Sequence, residues 1–350
     1  METWKRTVYI SLVCVFCTAF GVSQLAPILP LYFHDLGVQT PEAMSLWSGL
    51  ATGATYIIVC LAAPFWGRVA DKKGRKITLI RSSFGMALCN VLIAFQTTPE
   101  GVVLIRLVQG LVSGFYSASI TLIASESPIE RTGWALGLLA SANLAGSLIG
   151  PLLGGYIADT VGIRNDFIIV GTLMGLAGVL ATIFIHENYV PQPNPEKLSI
   201  RKLKEQIPEF NSIVALCVAS FIYAICIMSL QPVISVYIKG IVPSDTENLA
   251  FIAGAVFSAM GIAQLMSSSP LGKLVDKIGP RKVLVVSLIY VGILNIPQAY
   301  VSDVYQLAII RFLQGFGLGG MLPALNTYLS SKTPREFTGQ VFSYNQSCQI

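Results

Sequence analysis

The chain has 350 residues, of which 53% are hydrophobic and only 12% are charged, and its formal net charge is +5. A soluble domain carries about 25% charged residues, so this composition excludes an ordinary water-soluble protein. The apolar runs are continuous and about 20 residues long, which suits a helix crossing a bilayer and is about twice the length of a membrane-barrel strand. The composition therefore predicts an all-α membrane protein.

Ten apolar runs predict ten membrane-spanning helices, and an eleventh run begins near the end of the chain. The runs cover 8–33, 46–69, 77–96, 101–124, 133–158, 165–186, 211–238, 249–271, 282–300 and 305–329, with the eleventh from about 338. A polar stretch rich in proline and lysine separates the sixth run from the seventh and predicts a linker. We therefore expect a six-helix bundle over 1–186, a linker over 187–210 and a second bundle over 211–350.

Lysines and arginines fall on one side of these predicted helices. If the N-terminus lies inside, nearly all of the 23 basic residues occupy inner loops and the linker, as the positive-inside rule requires. The predicted outer side holds acids instead, among them Asp159 and Asp166. Topology and contact with anionic membrane lipids account for the net charge, so no nucleic-acid partner is expected.

The chain contains an internal repeat with an offset of 205 residues. GRVADKKGRK at 67–76 returns as GKLVDKIGPRK at 272–282, and RLVQG from Arg106 returns as RFLQG from Arg311. Each copy would hold six helices, and because six is even, both copies enter the membrane from the same side. The second copy stops at Ile350, so we expect the last one to two helices to be missing.

The loop at 67–76 combines glycines, one acid and several cations. Gly67 is expected to permit close approach of helices, and Gly74 to allow a tight turn. Asp71 is placed to accept hydrogen bonds from Arg75 or from a helix N-terminus. A solvated loop that only obeys topology is the alternative, which the second copy of the pattern disfavours.

The pattern G-x3-D-[RK]-x-G-R-[RK] between two helices resembles the loop signature of the major facilitator superfamily, and the second copy repeats it with Asp276 and Arg281. The resemblance covers the whole chain and implies two parallel six-helix repeats. It also implies that these loops latch the two halves together on the cytoplasmic side. Pro280 interrupts the second copy, so the first loop, with Asp71 and Arg75, is the expected latch.

The stretch Arg106–Gln109–Gly110 resembles a second signature of the same family. An arginine inside a membrane helix needs a partner or a water-filled cavity. The resemblance implies that Arg106 influences proton transfer. The alternative is that its side chain snorkels to the outer surface, because it lies only about five residues into the predicted helix.

The fifth predicted helix carries GSLIGPLLGG. Small residues four apart let membrane helices touch along a groove, and a proline bends or loosens the helix. The string resembles the helix-five signature of exporters and antiporters in the superfamily, which implies export. Its residues are Gly146, Gly150, Pro151, Gly154 and Gly155.

The proton carrier and the substrate cavity are the least defined parts of the sequence. Asp35 and Glu126 are candidates for the carrier, although each also fits an ordinary carboxylate at a helix end. Scattered polar groups on apolar walls suit a lipophilic substrate, although each group also fits a hydrogen bond between helices. The candidates for the cavity are Gln24, Tyr56, Asn90, Tyr116, Asn143 and Gln231.

These features together predict a monomeric transporter of the cell membrane that exports small lipophilic compounds or drugs by proton antiport. No cofactor, metal or enzymatic activity is expected. Two alternatives stay open. One is a proton-coupled transporter of a specific metabolite such as a sugar, an amino acid or a siderophore. The other is an inactive truncated product.

Overall fold

A computed structural model of the chain describes residues 2–187, 206–207, 209–243, 246–334, 341, 344–345 and 348, without the side chains at positions 71, 129, 130, 226 and 229. Every regular element in these ranges is a helix. The helices are α1 (Thr3–Ser23), α2 (Leu25–Asp35), α3 (Pro41–Lys73), α4 (Arg75–Ala94), α5 (Pro99–Val112), α6 (Phe115–Glu126), α7 (Ile129–Val161), α8 (Ile163–Phe184), α9 (Phe210–Ile241), α10 (Leu249–Ile278), α11 (Pro280–Gln298) and α12 (Val304–Lys332).

Ten stretches of the described chain are long and apolar enough to cross a membrane, with α5 and α6 counted together. The prediction of an all-α, multi-pass membrane protein is thereby confirmed. Most of the predicted linker and most of the predicted eleventh helix lie outside the described residues. Contacts between residues divide the chain into two compact units. One unit consists of residues 1–193 and 232–254, and the other consists of residues 194–231 and 255–350.

The first predicted helix is divided into α1 and α2 at Gln24. Pro27 has no N–H group to donate to the carbonyl of Ser23, and Pro30 likewise leaves the carbonyl of Ala26 without its helical donor. The Gln24 side chain at the break is fully buried. A single run over 8–33 was therefore wrong at its centre, because the prolines interrupt the hydrogen-bond ladder.

The fourth predicted helix is also divided, into α5 and α6, where Gly114 has a φ of +112°. The carbonyls freed at this break are satisfied from neighbouring helices. Trp66 Nε1 donates to the Leu111 carbonyl at 2.8 Å, and the Arg81 guanidinium donates to the carbonyls of Leu111 and Ser113 at 3.3 and 2.9 Å. Arg81 also stacks 3.4 Å from the centre of the Trp66 ring. Arg81 therefore stabilises the break as well as adding to the charge of its loop.

Within the first unit, α1 packs against α7 and α8, α4 packs against α8, and α3 packs against α5. The glycines of α7 bring its backbone against α1. A Cβ atom on Gly146 would lie 2.5 Å from the carbonyl oxygen of Phe16, and one on Gly150 would lie 2.5 Å from that of Phe20. Only residues without a side chain permit this approach. α7 itself continues through Pro151.

Residues that correspond in the sequence repeat make equivalent helix contacts within each of the two units. A Cβ atom on Gly110 would meet the carbonyl oxygen of Thr55, and one on Gly315 would meet that of Met260. Both members of the second pair lie 205 positions after those of the first. The turns before α4 and α11 match as well, since Gly74 and Gly279 have φ values of +94° and +91°.

At another helix contact, the positions of the glycine and of the larger residue are reversed between the two copies. In the first copy, a Cβ atom on Gly85 would overlap Val112, whereas in the second a Cβ atom on Gly317 would overlap Tyr290. Tyr290 corresponds to Gly85, and Gly317 to Val112, at the same offset of 205. The distance between the two helices is thus kept by placing the glycine on the opposite partner.

The contact of α7 with α1 predicts different outcomes for two alanine substitutions in one helix. Gly150→Ala should lower the thermal stability of the purified protein, because overpacking a tight contact costs about 1–3 kcal/mol. Gly137→Ala is the matched control, since no described atom lies within 4 Å of its Cβ position. It should leave the melting temperature unchanged or raise it, since alanine favours helix by about 1 kcal/mol. Equal melting temperatures would contradict the close contact.

Candidate functional site

The loop between α3 and α4 is held by a carboxylate from the end of α8. Glu187 Oε1 accepts a hydrogen bond from the backbone N–H of Arg75 at 2.8 Å, and Oε2 accepts one from that of Lys76 at 2.9 Å. The negative charge thus lies at the positive end of the α4 dipole. A Cβ atom on Gly74 would lie 2.7 Å from Glu187 Oε2, so this glycine is needed for space as well as for its positive φ.

Glu187 occupies the position that the sequence suggested for Asp71, whose side chain lies outside the described residues. The close approach at Gly67 stays a prediction, since among the described residues no neighbouring helix lies within 4 Å of its Cβ position. In the second copy, Asp276 and Arg281 are both exposed. Over the described ranges no hydrogen bond or ion pair joins Asp276 to Arg281.

Arg106 is buried, with 6% of its surface exposed. Its NH1 group donates to Gln109 Oε1 at 2.7 Å, one turn further along α5. The Thr55 hydroxyl donates to the Arg106 backbone carbonyl at 3.0 Å, and the Arg106 Nε has no hydrogen-bond partner among the described atoms. The side chain therefore stays inside the helix packing, and snorkelling to the surface is wrong.

Arg311, the counterpart of Arg106 in the second copy, is also buried but has other neighbours. Its NH1 group lies 3.4 Å from the sulfur of Met260, and its guanidinium lies 5.6 Å from the centre of the Phe257 ring. Gln314 Nε2 donates to Asn295 Oδ1 at 3.0 Å. The two copies thus place the same arginine and glutamine in different hydrogen-bond arrangements.

Neither predicted proton carrier lies in the interior. The side chain of Asp35 is 58% exposed, and its Oδ1 lies 3.9 Å from His34 Nδ1. Glu126 is the last residue of α6 and is partly exposed.

Asp166, in contrast, is fully buried, and its Oδ2 accepts a hydrogen bond from Gln24 Nε2 at 3.0 Å. The sequence placed Asp166 on the outer side, at the start of the predicted helix over 165–186, and the structure places it in the first turn of α8. The available signal was an acid at the start of a strongly apolar run.

Asp159, near the end of α7, binds the start of α10. Its two carboxylate oxygens accept hydrogen bonds from the backbone N–H groups of Ala250 at 3.1 Å and Phe251 at 2.7 Å. Here too a carboxylate lies at the positive end of a helix dipole. A Cβ atom on Gly155 would overlap the carbonyl of Ala250, and one on Gly254 would overlap that of Pro151. Two helices therefore touch through their backbones beside this carboxylate.

The six cavity candidates have different surroundings in the structure. Gln24 binds Asp166, and Asn90 donates to the Met86 carbonyl at 2.9 Å, whereas Tyr116 packs against the apolar core of the first unit. In the described part of the chain no hydrogen bond joins any two of the six. Like Tyr116, the candidates Tyr56, Asn143 and Gln231 are partly buried.

A cavity of about 390 Å³ opens elsewhere, in the second unit, between the first turns of α9 and the side chains of Val341, Tyr344 and Cys348. Its lining is apolar, and none of the six candidates contributes to it. This groove therefore does not coincide with any of the polar groups that the sequence selected.

Comparison with known proteins assigns the fold to a family. The sequence profile described as Major Facilitator Superfamily matches residues 11–242 and 216–349. The chain is 38% identical to the multidrug resistance protein MdtG of Salmonella dublin and 39% identical to that of Dickeya zeae, in each case over 344 residues. These alignments cover 98% of this chain and 85% and 84% of the relatives.

Among solved structures, that of a mutant form of the nucleoside transporter NupG aligns with a TM-score of 0.77 at 13% identity. The alignment covers 99% of this chain and 88% of that one. At this identity the match concerns the fold, and it agrees with the helical architecture described above.

The cap on α4 predicts a local effect of Glu187→Gln. Loss of the charge should weaken the hydrogen bonds to the Arg75 and Lys76 amides by about 0.5–2 kcal/mol. Hydrogen exchange measured by mass spectrometry should then be several-fold faster in the peptide that covers the start of α4. Glu2→Gln is the control, because Glu2 is an exposed acid, paired with Lys5, at the start of another helix. Unchanged exchange at the start of α4 in Glu187→Gln would contradict the cap.

Proposed function

The chain belongs to the major facilitator superfamily, and we propose that it is a secondary transporter that exports small lipophilic compounds by proton antiport. The observation that carries this proposal is the identity of 38% and 39% to two multidrug resistance proteins over 98% of the chain. The tight glycine face of α7 supports it, since that segment resembles the signature of exporters. In this function the chain is a monomer in the cell membrane, with its N-terminus in the cytoplasm.

Alternating access requires contacts that hold one state and then release. Two described contacts have the right chemistry, because in each a side-chain carboxylate holds the backbone N–H groups at the start of a helix. Glu187 holds α4 on the predicted cytoplasmic side, and Asp159 holds α10 on the predicted outer side. Each contact contributes about 0.3–1 kcal/mol through the helix dipole, which is small enough to be broken during transport.

The loop residues Asp71 and Arg75 remain the proposed cytoplasmic latch, with Asp276 and Arg281 as the weaker second copy. Arg106 supports a coupling role for α5, because its guanidinium is buried with no partner for Nε among the described atoms, and such costly charges inside a membrane protein mark transport pathways. A lipophilic substrate is consistent with polar groups that are spaced along apolar helices rather than gathered into a charged cage.

The proposed function predicts efflux driven by a proton gradient. In inside-out vesicles containing the chain, acidifying the interior should drive accumulation of ethidium or another lipophilic dye, and a protonophore should abolish it. The same vesicles should not transport a panel of sugars, amino acids and siderophores. Transport of one metabolite without any dye would contradict drug export and support the metabolite alternative. Absence of all transport would support the inactive alternative.

The contact between Asp159 and α10 predicts a change in accessibility. In a chain whose seven cysteines are replaced by alanine, Asp159→Asn should speed labelling of Ala250→Cys by an impermeant maleimide. Losing about 0.3–1 kcal/mol corresponds to a rise of about two- to fivefold in the opened fraction. Glu100→Gln is the control, since Glu100 is an exposed acid in the first turn of α5. Equal labelling in both variants would exclude Asp159 as a closing contact.

A further inference from the structure

Asp166 and Gln24 form a fully buried pair whose hydrogen bonding is incomplete. Both residues have no exposed surface, and Gln24 Nε2 donates to Asp166 Oδ2 at 3.0 Å. The remaining oxygen of each side chain, Asp166 Oδ1 and Gln24 Oε1, has no hydrogen-bond partner among the described residues. Each orphaned buried acceptor costs about 1–3 kcal/mol, so the pair as an ionised carboxylate and an amide is poorly satisfied.

One proton would satisfy both orphaned atoms. A carboxylate only accepts hydrogen bonds, whereas a carboxylic acid has one O–H donor. If Oδ1 carries the proton, it becomes a donor, and a donor is what Gln24 Oε1 lacks. A carboxylic acid and a carboxamide are complementary in this way, because each offers one donor and one acceptor side by side. The chemistry of the pair therefore favours the protonated acid in this state.

No charged group among the described residues is bonded to Asp166 in a way that would stabilise a carboxylate instead. Among the described residues no hydrogen bond or ion pair joins Asp166 to another titratable group. Asp159 is bound to the start of α10, and Arg164 donates to the Gln96 carbonyl. The titratable groups on this part of the surrounding helices are Cys17 on α1, Tyr32 and Asp35 on α2, Cys89 on α4, Tyr156 and Asp159 on α7, and Arg164 on α8.

The glycine segment of α7 makes room for the pair. A Cβ atom on Gly154 would overlap both the side-chain amide and the Cβ atom of Gln24. The same residue Gln24 lies between α1 and α2, where the helical hydrogen-bond ladder is interrupted. The pair thus lies where three helices meet, and one of them is interrupted.

We propose that Asp166 is the residue that binds and releases the transported proton, and that Gln24 positions it. On the outer side a hydronium ion transfers a proton to Oδ1, so that one of its O–H bonds breaks, water is left and an O–H bond forms at Oδ1. After the rearrangement that opens the other side, this bond breaks and the proton passes to water there. The inference rests on the proposed antiport and identifies the residue at which proton binding is coupled to transport. The sequence instead indicated Asp35 and Glu126 as candidate carriers.

The test compares coupled transport with exchange in liposomes that contain the full chain. Asp166→Asn should reduce dye transport driven by a pH gradient by about tenfold or more. Dye exchange at equal pH on both sides should stay close to the wild type, which also shows that the variant folds. Asp166→Glu should keep part of the coupled transport with a shifted pH profile. Glu100→Gln, the exposed control, should match the wild type in both assays.

A second measurement does not depend on transport. The infrared spectrum of the purified wild type should contain the C=O band of a buried protonated carboxyl, and Asp166→Asn should lack this band. A wild type without the band would overturn protonation of Asp166.

The transport results separate two failures. Gradient-driven transport that persists in Asp166→Asn would overturn the assignment of the proton site and leave antiport standing. Exchange without any gradient-driven transport in the wild type would overturn antiport itself and, with it, the coupling role of Asp166.

Discussion

The backbone contact of α7 with α1 determines where the other functional groups of the first unit lie. Gly146 and Gly150 bring the two helices together through backbone atoms, and Gly154 continues the same face to Gln24. Little more than one turn further, Asp159 reaches the start of α10. A single row of small residues thus places a helix contact, a buried polar pair and a helix cap in sequence along α7. A larger residue at any of the three glycines would clash with the backbone of α1 or with Gln24.

Two carboxylates satisfy the free backbone N–H groups at the start of a helix in the same way. Burying the first N–H groups of a helix leaves donors without partners, and a carboxylate satisfies two of them while it compensates the helix dipole. Glu187 does this for α4 and Asp159 does it for α10. Each carboxylate joins two segments that are far apart in sequence, and it does so with only two hydrogen bonds.

The sequence predicted the membrane spans, the duplication and the glycine turns, because each depends on local composition or on a pattern that occurs twice. Gly74 could be selected since a tight turn needs positive φ wherever it occurs. The partners of buried polar groups could not be predicted in the same way. Gln24 and Asp166 are 142 positions apart, and Glu187 is 112 positions from Arg75. Such pairs depend on how helices pack, and nothing in either local sequence identifies the partner.

The helix breaks likewise depend on groups that are distant in sequence. The break at Gln24 had a local sign in Pro27 and Pro30, but the break at Gly114 depends on donors that Trp66 and Arg81 bring from other helices. An unsatisfied carbonyl in a membrane helix is costly, so a break persists only where such donors arrive. The indole and guanidinium therefore have a structural role that counting charges for topology does not reveal.

The two copies show what the duplicated polar residues can do. In the second copy Gln314 donates to Asn295, whereas in the first the corresponding Gln109 accepts from Arg106, and the Oδ1 of Asn90 has no partner in the described chain. The same residue types thus adopt two arrangements that differ by one or two hydrogen bonds, each worth about 0.5–3 kcal/mol, with the bond to the charged Arg106 at the upper end. Turning Gln109 from Arg106 to Asn90 would convert the first arrangement into the second. A buried arginine whose neutral partner can turn between two neighbours suits the coupling role proposed for α5.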